Sequence, residues 1–189
     1  MTTFIEGVIA KAKQGNKTIV LPEGEDIRVL EAAYLLTKDK IAKIVLLGDE
    51  TEISKTFAEK GWAMNGIKVI NPKTSDKLQA YADLFYDLRK EKGISREDAL
   101  KTALNPNYFG TLMIKSGDAD GMVSGAAHST ADTVRPALQI VKSARKDMDV
   151  SSFFFMSKDG KTFIFSDAGL TPNPDERGLA NIAIQSAQT

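Results

Sequence analysis

The sequence contains no cysteine among its 189 residues, and it has a single histidine. The lack of cysteine excludes disulfides, thiolate metal sites and a thiol nucleophile. Neither sign of charge is in excess, because 25 lysines and arginines balance 25 aspartates and glutamates. This balance argues against nucleic acid or an anionic membrane as the main partner, so any bound anion must be held by local groups.

Long hydrophobic runs are also missing. The N-terminal MTTFIEGVIAKAKQ lacks the basic and then apolar pattern of a secretion signal, and no apolar run approaches transmembrane length. We therefore expect a cytoplasmic protein with no membrane partner. Hydrophobic residues make up 42% of the chain, which is enough for a substantial core in one domain, or in one domain and part of another.

Short apolar runs alternate with helical patterns over the first 140 residues. Strands are predicted at 17–21, 42–47, 67–70 and 121–124, and helices at 3–14, 26–37, 50–60, 75–92, 95–104, 107–115 and from about 129 to 144. We expect Thr74 or Ser75 to cap the helix that begins at residue 75. Alternation of this kind predicts an α/β fold, with a parallel sheet between layers of helices.

The pattern changes near residue 150, after a charged connector at 145–149. Two β-rich runs, 152–156 and 161–165, are joined by Lys158-Asp159-Gly160, which is typical of an antiparallel hairpin. A helix is then expected from Asp175 to the end of the chain.

This change of pattern indicates two domains. We predict a first α/β domain over residues 1–149 and a new subdomain over 150–189. One hairpin and one helix bury little hydrophobic surface, so the second segment is too small for independent stability.

The stretch DGMVSGAAHSTADTVRPALQIV, residues 120–141, has the features of a phosphate site. Small residues around Gly125 let a ligand approach the backbone, and the hydroxyls of Ser129 and Thr130 suit a helix N-cap. The helix start offers unpaired N–H groups, and Arg135 adds a guanidinium. An ordinary strand-to-helix connection with a surface arginine explains the same residues. No dinucleotide fingerprint or Walker P-loop decides between the two.

Three other charged features each have a structural and a functional interpretation. The acidic loop with Glu23, Glu25 and Asp26 could touch a substrate, but we favour a charged helix start. Arg89 lies near a helix C-terminus, where a cation stabilises the helix dipole. His128 is attractive as an acid, although a lone loop histidine is more often a structural hydrogen-bonding group.

Three stretches together, DGMVSGAAHSTADTVRPALQIV, IVLPEGEDIRVLEAA and YDLRKEKG, resemble the phosphate acetyltransferase family. Members interconvert acetyl-CoA plus phosphate with acetyl phosphate plus CoA. The resemblance implies a three-layer parallel-sheet domain of the isocitrate and isopropylmalate dehydrogenase type, the beginning of a second α/β domain, a cleft between the two domains, and a homodimer.

The resemblance also implies roles for particular residues. Arg89 and Arg135 match the two cleft arginines that face the acyl phosphate and phosphate, and they are the predicted catalytic residues. The predicted phosphate-binding residues are Ser124, Gly125, His128, Ser129 and Thr130. No residue is assigned to coenzyme A, which is a substrate here, and no metal or other cofactor is expected.

Family members are much longer than 189 residues. Their catalytic serine and aspartate, which handle the CoA thiol, are expected beyond Thr189, so we expect little or no turnover by this chain alone. Two alternatives share the same stretches: a phosphate butyryltransferase, and a non-catalytic module that binds acyl-CoA or phosphate.

Overall fold

The computed structural model describes residues 3–142 and 150–188. The described residues form two compact units, Ile9–Lys142, and residues 3–8 with 150–188. The charged connector predicted at 145–149 lies outside the described residues, and the domain boundary predicted at residue 150 stays a prediction.

Helices and strands alternate along the chain as far as Ile140, as predicted. The elements are α1 (Phe4–Gly15), β1 (Thr18–Leu21), α2 (Ile27–Lys38), β2 (Lys43–Leu47), α3 (Glu50–Lys60), β3 (Ile67–Ile70), α4 (Leu78–Arg89), α5 (Arg96–Ala103), α6 (Pro106–Ser116), β4 (Gly121–Met122) and α7 (Thr130–Ile140). A short 3-10 turn, Lys90–Lys92, follows α4.

The four strands form one parallel sheet in the order β3-β2-β1-β4. In its register, Ile19 of β1 lies between Ile44 of β2 and Gly121 of β4. This confirms the parallel sheet that the alternating pattern predicts. β4 is shorter than the predicted 121–124, because the chain turns away after the Val123 N–H has bonded to the Val20 carbonyl (3.0 Å).

Residues of β2 alternate between two hydrophobic cores, one on each face of the sheet. Val45 and Leu47 pack with α4, α5, α6 and α7, whereas Ile44 and Leu46 pack with α2 and α3. Successive side chains of a strand point to opposite faces, so a strand that is buried on both sides must be apolar throughout. The predicted three-layer α/β arrangement is confirmed.

Two helix ends differ from the prediction. α4 begins at Leu78, not at residue 75, because the Ser75 hydroxyl accepts a hydrogen bond from the Lys77 N–H in a turn before the helix. Its N-cap residue, Lys77, makes no side-chain cap. α7 ends at Ile140, not at residue 144, and Lys142 has a left-handed backbone with φ of 62°.

The second unit contains the predicted hairpin and the predicted helix. The strands β5 (Phe153–Lys158) and β6 (Lys161–Ser166) are antiparallel, and Asp159 and Gly160 join them with positive φ angles of 50° and 75°. Two positive φ angles are typical of a type I′ hairpin turn. Every residue of both strands is exposed. The helix α8 (Glu176–Ala187) follows and is capped by Asp175.

Candidate functional site

The stretch after β4 forms an irregular loop and then α7, whose N-cap is Ser129 as predicted. The Ser129 hydroxyl accepts a hydrogen bond from the Asp132 N–H (3.2 Å) and donates one to the Asp132 carboxylate (2.6 Å). This reciprocal arrangement stabilises the first turn of the helix. The Ser129 side chain is thus occupied in capping, and its role in phosphate binding stays a prediction.

Backbone donors at the start of α7 remain open. Within residues 3–142 and 150–188, no group accepts a hydrogen bond from the N–H of Thr130 or of Ala131. Both residues are exposed. Unpaired amides and the positive end of the helix dipole favour an anion at this position. The Thr130 N–H is thus unpaired among the described residues, and its predicted role in phosphate binding stays a prediction.

The loop before α7 is folded around the carboxylate of Glu23, which follows β1. One oxygen accepts the N–H groups of Gly125 (3.0 Å) and Ala126 (2.9 Å), and the other accepts those of Ala127 (2.8 Å) and His128 (3.1 Å). The His128 Nδ1 atom lies 2.8 Å from the second oxygen. Glu23 is only 1% exposed. Four successive backbone amides thus surround a carboxylate that belongs to the protein itself.

The environment of Glu23 keeps it ionised. Burial acts to raise its pKa, but the donated hydrogen bonds from Ala127, His128, Ala126 and Gly125 outweigh burial and lower the pKa from 4.5 to about 2. The carboxylate therefore carries its charge throughout the neutral range.

Arg28 of α2 holds the same loop from its carbonyl side. Its Nη2 donates to the Ala126 carbonyl (2.6 Å) and to the Asp26 carboxylate (2.6 Å). Asp26 is the N-cap of α2 and accepts the Arg28 N–H. The charged helix start that we favoured for this acidic loop is confirmed for Asp26. It is wrong for Glu23, whose partners lie about a hundred residues away in sequence.

These contacts involve two of the predicted phosphate-binding residues, Gly125 and His128. The backbone N–H groups of Gly125 and His128 point to Glu23, and an anionic ligand would have to compete with that carboxylate for them. Their roles in phosphate binding stay predictions. What the contacts show is that Glu23 fixes the shape of the loop.

Ser124 connects the loop to α6. The Ser124 hydroxyl donates a hydrogen bond to the Oδ1 atom of Asn107 (2.7 Å), and Asn107 is fully buried. Among the described residues, the Asn107 Nδ2 atom has no hydrogen-bond partner. Because the Ser124 hydroxyl has an internal partner, its predicted contact with phosphate also stays a prediction.

Tyr108 of α6 contacts both of the helices that carry the predicted catalytic arginines, α4 with Arg89 and α7 with Arg135. The Tyr108 hydroxyl bonds to the Gln139 Oε1 atom (3.0 Å), and its ring packs edge-on against Phe85 of α4 (5.4 Å between centroids). Arg135 lies one helical turn before Gln139, and Arg89 lies one turn after Phe85.

Electrostatics supports the same arrangement. Burial raises the pKa of Tyr108, and the positive charges of Arg135 and Arg89 partly oppose that rise. Both guanidiniums are therefore close enough to influence one phenol, although 46 positions separate them in sequence.

Neither arginine is neutralised by a close carboxylate. Among the described residues, no Asp or Glu oxygen lies within ion-pair distance of Arg89 or Arg135. The hydrogen bond from Ser129 chiefly lowers the pKa of Asp132, and the charge of Arg135 lowers it further. Arginine side chains without a close counter-ion suit a dianion such as phosphate.

Glu23 and Tyr108 are the parts of the site that reasoning from sequence missed. Glu23 had one usable signal, a carboxylate directly after a buried strand in a parallel sheet, where loops of the sheet converge. Tyr108 had none, because an aromatic residue in an apolar helix is normally core.

A groove of about 1080 Å³ lies in the first unit, away from the predicted site residues. It runs past β3 and is bordered by Lys77, Tyr81 and Asp118, and the Asp118 carboxylate accepts hydrogen bonds from the other two side chains. None of the predicted site residues lines it. The size of a groove thus does not identify the site in this structure.

Within 3–142 and 150–188, no group of three His, Asp or Glu side chains could hold a metal ion. In the same part of the chain, no helix has both the length and the apolar character that a membrane crossing requires.

The fold is that of a three-layer α/β protein, and its helix α7 begins with two amides that are unpaired among the described residues. The family described as "Phosphate acetyl/butaryl transferase" matches residues 3–189, and the chain belongs to this family. The phosphate acetyltransferase of Acetivibrio thermocellus is 44% identical over 194 residues, which cover 99% of this chain and 58% of that protein.

Solved structures agree with the family assignment. The EutD phosphotransacetylase from Staphylococcus aureus has a TM-score of 0.87 and 41% identity, over 96% of this chain and 56% of that one. A phosphotransacetylase from Streptococcus pyogenes has a TM-score of 0.89 and 37% identity, over 95% and 55%. The chain thus spans a little more than half the length of these proteins.

Proposed function

We propose that this chain carries the phosphate-binding part of an acyltransferase that interconverts acetyl-CoA plus phosphate with acetyl phosphate plus CoA. The observation that carries the proposal is the pair Arg89 and Arg135, which lie on two helices that both contact Tyr108 and which have no close carboxylate among the described residues. The names of the relatives support the acetyl group as the acyl group transferred.

The chemistry of the two arginines fits this reaction. Phosphate must lose part of its hydration and be oriented toward the thioester carbonyl, and planar guanidiniums hold phosphate oxygens in pairs. Their charge also stabilises the oxyanion that develops as the carbonyl is attacked. The unpaired amides of Thr130 and Ala131 add donors for the same ligand.

The remaining features of the proposal follow from the family resemblance. A serine and an aspartate that act on the CoA thiol are expected outside these 189 residues, so we propose phosphate binding with little or no turnover by this chain. The reaction needs no metal or prosthetic group, and coenzyme A is a substrate. We propose that the whole enzyme is a cytoplasmic homodimer that binds neither nucleic acid nor membrane.

Phosphate binding by the chain tests the proposal. Isothermal titration calorimetry should detect binding of phosphate and of acetyl phosphate, and Arg135→Gln should weaken both by about tenfold or more, since a hydrogen bond to a charged group contributes roughly 1.5–3 kcal/mol. Arg89→Gln should act in the same direction.

Arg96→Gln is the matched control. This arginine is exposed, pairs with Asp83 (3.0 Å) and stacks on Tyr86, so its replacement should leave the phosphate affinity unchanged. Equal affinities in the wild type and in Arg135→Gln would remove Arg135 from the site. Assays of thioester formation with acetyl and butyryl phosphate would show whether the chain has turnover and which acyl group it accepts.

A further inference from the structure

The imidazole of His128 forms a pair with the buried carboxylate of Glu23. The His128 Nδ1 atom lies 2.8 Å from the Glu23 Oε1 atom, and Glu23 is 1% exposed. An ionised carboxylate can only accept a hydrogen bond, so Nδ1 must carry the hydrogen. In the neutral ring this assignment leaves the lone pair on Nε2, which is the atom that can accept a proton.

The Nε2 atom is available to a ligand. No described residue forms a hydrogen bond with it, and the His128 side chain is 25% exposed. The ring bonds to Glu23, and His128 directly precedes Ser129, the N-cap of the helix that carries Asp132 and Arg135. The hydrogen bond from Ser129 chiefly lowers the pKa of Asp132, and the charges of Arg135 and His128 lower it further.

We propose that His128, oriented by Glu23, is the proton acceptor on the phosphate side of the reaction. This inference rests on the proposed function. It assigns a proton-handling role to His128, for which the family resemblance implies only a part in phosphate binding.

In the direction of acetyl phosphate, the protonated oxygen of hydrogen phosphate forms a bond to the acetyl carbonyl carbon. The proton of that oxygen passes to Nε2 of His128. The C–S bond breaks, its electron pair stays on sulfur, and the thiolate finally receives the proton that the imidazolium releases. In the opposite direction, the imidazolium returns a proton to the phosphate oxygen as the C–O bond breaks.

Glu23 has two physical effects on this step. It selects the tautomer with hydrogen on Nδ1, and its negative charge stabilises the imidazolium that forms when Nε2 takes up a proton. The four backbone amides that bond to Glu23 hold the carboxylate in place while it does so.

NMR spectroscopy of the wild-type chain tests the proposal, because His128 is its only histidine and all imidazole signals belong to it. Long-range proton–nitrogen spectra at neutral pH should show the tautomer with hydrogen on Nδ1. Addition of phosphate should shift the Nε2 resonance, because a phosphate oxygen would form a hydrogen bond with that atom. Potassium chloride at equal ionic strength should not shift it.

The outcomes separate this inference from the proposed function. If calorimetry shows phosphate binding but the Nε2 signal does not respond, the inference is overturned and the proposed function stands. If phosphate does not bind, both are overturned. A ring with hydrogen on Nε2 in the wild type would also refute the role of Glu23. In Glu23→Gln the preference for the Nδ1–H tautomer should weaken, whereas Glu25→Gln should keep it.

Discussion

Replacement of Glu23 by glutamine tests whether one buried carboxylate holds the loop before α7. Each Glu23 oxygen accepts at least two N–H groups, at distances between 2.8 and 3.1 Å. Glutamine has nearly the same shape, but its amide nitrogen is a donor. Whichever oxygen it replaces, at least two backbone N–H groups would face another donor in a buried position.

Two physical quantities indicate how much unfolding free energy Glu23→Gln would remove. The pKa of Glu23 is lowered from 4.5 to about 2, and at about 1.4 kcal/mol per pKa unit this difference corresponds to roughly 3 kcal/mol. Removal of one partner from a buried charged pair typically costs about 3–5 kcal/mol. We therefore expect Glu23→Gln to lower the free energy of unfolding by about 3 kcal/mol.

Urea unfolding at neutral pH, followed by circular dichroism, measures this change. Glu25→Gln is the control, because Glu25 is exposed and is the second residue after Glu23. It should change the free energy of unfolding by less than about 0.5 kcal/mol. An equally small effect in Glu23→Gln would refute the idea that the carboxylate holds the loop.

The effect should also depend on pH with a defined sign. Because the pKa of Glu23 is lower in the folded state, its stabilisation is fully present above about 4.5 and is lost as the pH falls toward 2. The difference between wild type and Glu23→Gln should therefore shrink over this interval. A difference that grows on acidification would contradict the lowered pKa.

Two further substitutions test the packing around the site. Tyr108→Phe removes the hydrogen bond to Gln139 (3.0 Å) and should cost about 1 kcal/mol in the same urea assay, whereas Tyr86→Phe should cost little, since no described residue hydrogen-bonds the Tyr86 hydroxyl. Gly24→Ala would place a methyl group 2.5 Å from the Leu47 carbonyl oxygen, so the loop after β1 would have to move away from the end of β2. We expect a loss of about 1–3 kcal/mol, and a fully stable variant would contradict the close approach of this loop to β2.

The sheet and most of its helices could be predicted from local sequence. The apolar run of β2 is buried on both faces, and such a run between helical patterns has few other folded solutions. The exceptions are helix ends, where the same local residue pattern is compatible with two different structures. Ser75 had the residue type of a helix cap, but its hydroxyl bonds to the Lys77 N–H in a turn, and α4 starts three residues later.

For the candidate site, the sequence by itself determined which residues surround the helix start. Ser129 as N-cap and Arg135 in the second turn follow from residue type and spacing along one helix. The tertiary structure alone decided that the helices of Arg89 and Arg135 both contact Tyr108. It also decided that the loop amides bond to Glu23. Both results depend on which strands lie side by side in the sheet, and no pattern within a single segment contains that information.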